Sequence, residues 1–444
     1  MPLPELIEIV PLGTPVRAEI TVPGSKSITN RALVLAALIE GEMTLQGALW
    51  SEDTQVMVEC LQELGFMVNV ELDPREPCNR SITVYGKGGL VPPGGTEERP
   101  LELFVGNAGT AARFLGAMAC LGKGVYRLHG VPRMHERPQA PLFHALRELG
   151  YRIESANDKL PALIHGAGPR AAKCRVSINE SSQFASALLL CADAGKWQVA
   201  VSGDNAEESP YVAMTSKLVA AFPGSRGRFQ VEPDASSGSY FLAAGFLLSS
   251  CEPLPPVRSQ IQTFPAPIST PASGVSLKAG PASDWQVDAA FSRFLPLPAA
   301  ISRRTDLGDS IMTAIVLAPF SMKPVRFTDL GRLRVQECER VVALRQELAK
   351  CGAKVVEEGD MLTVWPSRLH GALIETYNDH RMAMCFAILG LKVPGIRLKN
   401  PLCVKKTFPD FFQKLAAPPP DGLGAAVADG KSGRILRDAE LFAG

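Results

Sequence analysis

PGSKSITNR, residues 23–31, leads into an apolar segment, ALVLAALI, that ends at Gly41. Gly24 and the hydroxyls of Ser25, Ser27 and Thr29 are residue types that leave a helix N-terminus open, where unpaired backbone N–H groups can take an anion. Lys26 and Arg31 add positive charge at the same place. Taken alone, the stretch reads equally well as an ordinary capped helix with two exposed cations. Its recurrence along the chain decides between the two.

A cluster of small and polar residues leading into an apolar helix appears six times: PGSKSITNRALVLAAL from Pro23, GNAGTAARFLGAMA from Gly106, ESSQFASALLLCA from Glu180, PDASSGSYFLAAGF from Pro233, LGDSIMTAIVLAP from Leu307 and YNDHRMAMCFAILG from Tyr377. Such self-similarity points to a repeated unit. The helices are apolar nearly all round, which predicts burial inside a layer. Amphipathic helices accompany several of them: DTQVMVECLQELG from Asp53, PLFHALRELG from Pro141 and RVVALRQELAKCG from Arg340. Each ends at a glycine (Gly65, Gly150, Gly352) and runs into an alternating, strand-like segment. Further strands are expected at 18–22, 81–85, 199–202, 362–365 and 396–398.

The fold class is therefore α/β, and six units divide into two similar domains of three βαβ-containing units with a cleft between them. Polar helix starts facing that cleft would each favour an anion by about 0.3–1 kcal/mol. Two stretches break the rhythm. Residues 253–298 are rich in Pro, Ser and Ala and read as a long loop with one short helix, DAAFSRFL. After Leu415, AAPPPDGLGAAVADGKSG reads as a linker, followed by a tail, RILRDAELF, that docks or stays free.

Composition narrows the function. The chain has 444 residues and 46% apolar content, enough for two to three domains with buried cores. Lys and Arg (46) nearly balance Asp and Glu (45), so no overall basic field recommends nucleic acid or an anionic membrane, and any anion site must be local. The ten cysteines are scattered without a CxxC pair or a zinc-ligand spacing, which fits reduced thiols in the cytosol. No apolar run approaches the roughly 18 residues that span a bilayer. GNAGT lacks the GxGxxG spacing of a dinucleotide loop, and no GxxxxGK[ST] loop is present.

PGSKSITNR, GNAGTAARFL, PRMHERP, SSQF, PDASSGSYFLAA, LGDSIMTA, YNDHRMAM and KKTFPDFF follow one another in an order and at a spacing that resemble the 5-enolpyruvylshikimate-3-phosphate synthase family over residues 10–415. The resemblance implies two domains shaped as inside-out α/β barrels, one of residues 26–235 and the other of 1–25 plus 236–444, with the 416–444 tail appended. It also implies transfer of the carboxyvinyl group of phosphoenolpyruvate to the 5-hydroxyl of shikimate 3-phosphate, with no metal or organic cofactor, in a monomer. Phosphoenolpyruvate is then held by Lys26, Arg137, Arg340, Arg381 and Lys406, with the backbone at Gly109 and the side chain of Gln183 nearby. Ser181 and Ser182 take the shikimate phosphate, while Ser27, Arg31, Gln183 and Asp309 bind the ring carboxylate and hydroxyls and Tyr211 packs on the ring. Asp309 is the implied base, Glu337 the implied acid, and Lys26 completes the set.

Each assignment has a plainer competitor. Asp309 in GDS suits a helix cap, Glu337 with Arg334 and Arg340 suits a surface ion-pair set, and His135 suits a solvated loop. Departures from the family pattern gather at the phosphate. Gln336 stands where a lysine is usual, and Glu208 where a serine often stands. Losing one charge-assisted hydrogen bond costs roughly 1.5–3 kcal/mol, so Arg332 or Arg334 is expected to compensate. Phe114 replaces a usual proline after GNAGT, and Gly109 leaves room for a glyphosate-like inhibitor. A sister fold acting on UDP-N-acetylglucosamine carries a cysteine on the PRMHERP loop and an Asn after its lysine; this chain has His135 and Ser27. Because PGSKSITNR lies where the chain first crosses between domains, closure is expected to bring Lys26 into place.

Overall fold

All six apolar segments are helices: Lys26–Leu38, Gly109–Ala119, Ser182–Gly195, Ala235–Ser249, Ile311–Leu317 and His380–Gly390. In this computed structural model, which describes residues 3–203, 209–222, 225–249 and 274–444, they are buried on nearly every face. The first three pack on one another, as do the last three. Sheets lie outside them, so the barrels are inside out. One apolar core runs from Ile28 to Val231, and the other joins Leu3–Val22 to Tyr240–Ala443.

Six sheets surround the two cores. Each contains one parallel strand pair, and the four larger sheets add two antiparallel strands to it, as in the order 101–104, 123–129, 162–167, 152–154. Four of the parallel pairs enclose their own helix: Leu101–Phe104 with Lys123–His129, Ala172–Ser177 with Trp197–Ser202, Ala300–Ser302 with Val325–Thr328, and Leu373–Ile374 with Ile396–Lys399. The other two units trade strands. Ala18–Ile20, which leads into the first helix, pairs with Val275–Leu277; Ser225–Gln230, which leads into the fourth, pairs with Glu40–Leu49.

That exchange happens where the chain passes twice between the two cores. The two passages lie side by side: Ser25 N donates to Glu232 O (2.8 Å) and Asp234 N to Pro23 O (2.8 Å), with Gly24 opposite Pro233. Gly24 N also donates to Asn79 Oδ1 (2.8 Å), and a Cβ at residue 24 would lie 2.0 Å from Gly47 O. Only glycine fits there.

The amphipathic helices end as their sequences foretell. Gly65, Gly150 and Gly352 each have φ of 88°, a conformation glycine adopts without steric cost. Two expectations change. DAAFSRFL belongs to a 3-10 helix, Val287–Phe294, following a short strand, Val275–Leu277, while residues 253–273 lie outside the described part. The stretch after Leu415 is not a linker: Val427–Asp429 pairs with Leu6–Ile9, and Leu436 and Leu441 are buried. All nine described cysteines are free and buried. Among the described residues no helix is long and apolar enough to cross a membrane.

Candidate active site

The helix starts converge on a cavity between the two cores, lined by Lys26, Ser27 and Arg31 from the first helix, Ser181, Ser182 and Gln183 from the third, Arg137 and Tyr211 from the same core, and Asp309, Gln336, Glu337, Arg340 and Arg381 from the other. Gly109 and Lys406 stand just behind that lining. Gly109 O accepts a hydrogen bond from Arg113 Nη1 (3.0 Å), and Lys406 Nζ is 3.0 Å from Glu337 Oε1.

A site this cationic must offset its own repulsion, and it does so with carboxylates. Lys26 Nζ meets Asp53 Oδ2 at 3.0 Å. Arg340 meets Glu337 at 2.8 Å and Asp379 at 2.7 Å; Asp379 also accepts the N–H of Arg381 at the start of its helix. Arg381 and Arg303 take the two oxygens of Asp309, at 3.2 and 2.8 Å. Arg137 donates to Asn107 O (3.1 Å) and lies behind Gly109. Arg31 donates to Thr215, Ser186 and Ser27 O, and Gln183 to Thr110.

The plainer readings can now be weighed. Asp309 makes no side-chain cap; its loop is held by Asp288, which accepts from Gly308 N, Ser310 N and Ser310 Oγ. Glu337 is 11% exposed and set among cations, whereas Arg334 faces outward to Glu339, Glu357 and Asp360. Arg334 therefore has no charge to spare for a phosphate. Gln336 turns its side-chain oxygen to Arg340. His135 is not solvent-held, because its Nε2 accepts from Gly130 N (3.2 Å). Glu208 lies outside the described residues.

Burial alone would raise the carboxyls, yet the surrounding cations prevail. Glu337 is held well below the usual range by Lys406, Arg340 and Arg137, and Asp309 likewise by Arg381, Arg303 and Arg340. Lys406 is raised despite burial, chiefly by Glu337. Burial holds His380 neutral, pushing its imidazole well below its ordinary value.

Sequence reasoning missed Asp53, Arg303 and Asp379. Asp53 and Asp379 stood in quoted motifs but read as helix-start residues, a role that Asp379 also fills. Arg303 carried no signal, because it follows a three-residue strand beside an irregular loop.

Comparison with known proteins agrees with the geometry. A family model described as EPSP synthase (3-phosphoshikimate 1-carboxyvinyltransferase) matches residues 10–225 and 223–415. The chain is 35% identical to the 3-phosphoshikimate 1-carboxyvinyltransferase of Trichormus variabilis over 92% of this chain and 98% of that protein. It is 37% identical to the enzyme of the same name from Laribacter hongkongensis over 93% and 99%. Among solved structures, EPSP synthase from Acinetobacter baumannii superposes with a TM-score of 0.65 at 20% identity, covering 95% of this chain and 99% of that one. The enolpyruvyl transferase NikO from Streptomyces tendae superposes with 0.63 at 16%, covering 96% and 98%. These two show the shared fold. The chain belongs to the EPSP synthase, or 3-phosphoshikimate 1-carboxyvinyltransferase, family.

Proposed function

We propose that the chain transfers the carboxyvinyl group of phosphoenolpyruvate to the 5-hydroxyl of shikimate 3-phosphate and releases inorganic phosphate. The observation that carries this reading is a pair of half-buried carboxylates, Asp309 and Glu337, each clamped by its own cations in one cavity between the two cores. Both substrates bear a phosphate and a carboxylate, so two anion-binding regions must flank the reacting carbons. In this reading Lys26, Arg137, Arg340, Arg381 and Lys406 hold phosphoenolpyruvate, beside Gly109 and Gln183. Ser27, Arg31, Gln183, Tyr211 and Asp309 bind the ring, and Ser181, Ser182 and Gln336 border its phosphate. The two walls belong to domains 26–235 and 1–25 plus 236–444, a division supported by the separate apolar cores.

In the addition step the 5-hydroxyl oxygen bonds to C2 of phosphoenolpyruvate, its proton passes to Asp309, and C3 takes a proton from Glu337. In the elimination step C3 returns its proton to Glu337 and the C2–O bond to phosphate breaks, the departing phosphate taking up the proton lodged on Asp309, which gives the enol ether and restores both carboxyls. Glu337 must hold a proton for its part. A phosphate drawn to Lys406, Arg340 and Arg137 cancels the charges that depress it, and its affinity for a proton rises accordingly. The acid is thereby armed by the substrate it serves. The scheme uses no cofactor, and the enzyme is proposed to act in the cytosol as a monomer.

Phosphate release from phosphoenolpyruvate tests the proposal. It is expected with shikimate 3-phosphate and not with UDP-N-acetylglucosamine, and Glu337→Gln is expected to slow it by ~100-fold or more. No release with the shikimate ester overturns the reading.

A further inference from the structure

Arg303 and Arg332 follow neighbouring strands. Ala300–Ser302 and Val325–Thr328 are parallel, with Ser302 opposite Thr328, so the residues beyond their C-terminal ends emerge side by side. Arg303 N donates to Thr328 O (3.0 Å), and Arg332 lies in the 3-10 helix Gly331–Val335 just beyond. Both guanidinium groups line the cavity, opposite Ser181, Ser182 and Tyr211.

Their hydrogen bonding is incomplete. Arg303 is 7% exposed and gives Nη2 to Asp309, while its Nε is buried without a partner. Arg332 gives Nη2 to the carbonyl of Ile178, on the other core. The nearby acids are committed elsewhere: Asp288 to Ser236, Gly308 and Ser310, and Asp234 to Ser237. Burial and Arg303 together depress Arg332 to about 10, as expected for adjacent cations short of negative charge. Such a pair suits a dianion that accepts from two planar donors.

We propose that Arg303 and Arg332 form the subsite for the phosphate of the acceptor substrate, and that Arg303 is a positioning residue which leaves Asp309 for that phosphate and so frees the base. This rests on the reaction proposed above. Asp309 has one oxygen on Arg303 and the other on Arg381. While both contacts hold, it is a poor proton acceptor; transfer of Arg303 to the phosphate restores its basicity at the moment the hydroxyl arrives. An acceptor without a phosphate would leave Arg303 on Asp309 and lose turnover as well as affinity.

The test measures phosphate release for native protein, Arg303→Gln, Arg303→Lys, Arg332→Gln and Arg334→Gln across pH 5–9. Arg332→Gln is expected to raise KM for shikimate 3-phosphate about tenfold or more, the loss of one charge-assisted contact, with KM for phosphoenolpyruvate unchanged; Arg334→Gln is expected to match native. Arg303→Gln is expected to move the acid limb of kcat/KM, which reports the free enzyme, to higher pH while leaving the limb of kcat in place. Arg303→Lys, which keeps the charge, is expected to restore that limb in part and serves as the folding control. An unchanged KM for shikimate 3-phosphate in both Arg303→Gln and Arg332→Gln, or equal shifts of the two limbs in Arg303→Gln, overturns the inference. If native protein releases no phosphate with shikimate 3-phosphate, the reaction assignment fails first; the subsite is then judged by calorimetry with inorganic phosphate, and equal affinity in native and Arg332→Gln rejects it.

Discussion

Lys26 and Arg31 share a helix but spend their charges differently. Lys26 has one carboxylate partner, Asp53, whereas Arg31 is 2% exposed and donates to Thr215, Ser186 and a backbone carbonyl. In the proposed reaction Lys26 exchanges its partner for a substrate phosphate, whereas Arg31 is part of the wall. Lys26→Met is therefore expected to lower kcat by ~100-fold or more, and Arg31→Lys mainly to raise KM for shikimate 3-phosphate. Equal effects on kcat would refute that division. Gly109 shows the tightness of the same wall: a Cβ there would stand 2.5 Å from Arg137 Nη2 and 2.6 Å from Arg113 Nη1. Gly109→Ala must displace a guanidinium, so KM for phosphoenolpyruvate is expected to rise about tenfold, roughly 1.4 kcal/mol, with KM for the acceptor unchanged. Steady-state kinetics with each substrate varied in turn check both statements.

At the level of elements, Asp379 shows how one residue joins helix capping to the site. Its carboxylate accepts from Arg381 N (2.9 Å) at the helix start and holds the buried Arg340 at 2.7 Å. Asp379→Ala leaves that arginine without one of its two carboxylates, and a loss of about 3 kcal/mol or more is expected in urea unfolding. A loss below about 1 kcal/mol would show a cap and nothing more. Most of this level was legible in the chain. The six apolar helices announced themselves by being apolar all round, and Gly65, Gly150 and Gly352 marked the helix ends because they need positive φ. Strand exchange was not legible, since pairing of 18–20 with 275–277 depends on contacts more than 250 residues apart that leave no local pattern. The tail misled for a similar reason: its Pro- and Gly-rich stretch looks loose, yet Val427–Asp429 finds an open edge beside Leu6–Ile9. In the site, cations were readable from motifs, but which carboxylate meets which cation is tertiary information. Arg303 and Arg334 show it best, one turned inward from an unremarkable loop and the other turned outward from a suggestive one.

Across the whole molecule, a second buried ionic cluster joins the halves away from the cavity. Cys78 Sγ donates to Asp410 Oδ1 (2.8 Å), and Lys414 Nζ reaches Glu76 (2.9 Å), Asp410 (3.8 Å) and Thr21. Burial, reinforced by Glu76 and opposed by Lys414, pushes Asp410 up to about 7. A carboxyl raised in the folded state contributes stability that is present below its unfolded value, near 4, and is lost as pH rises through 7. Asp309 and Glu337, held low, act in the opposite sense: their contribution is present above the unfolded values and is lost as pH falls below about 4.5. Between pH 5 and 7 the Asp410 effect therefore stands alone among the three. His380, held neutral in the folded protein, acts in the opposite direction below its ordinary value, so Asp410 is read as a difference: the slope of the urea midpoint against pH over that window is expected to be more negative in native protein than in Asp410→Asn, and equal slopes would remove Asp410 from the account. The paired passages at Gly24 and Pro233 bear on movement as well. Two adjacent passages of one chain, joined by a single bridge, offer a pivot, and any turning of one half against the other would carry each residue in proportion to its distance from it. Lys26, two positions beyond Gly24, sits close to that axis. A turn about that axis would leave Lys26 nearly in place, as a fixed post against which the cations of the opposite wall would swing.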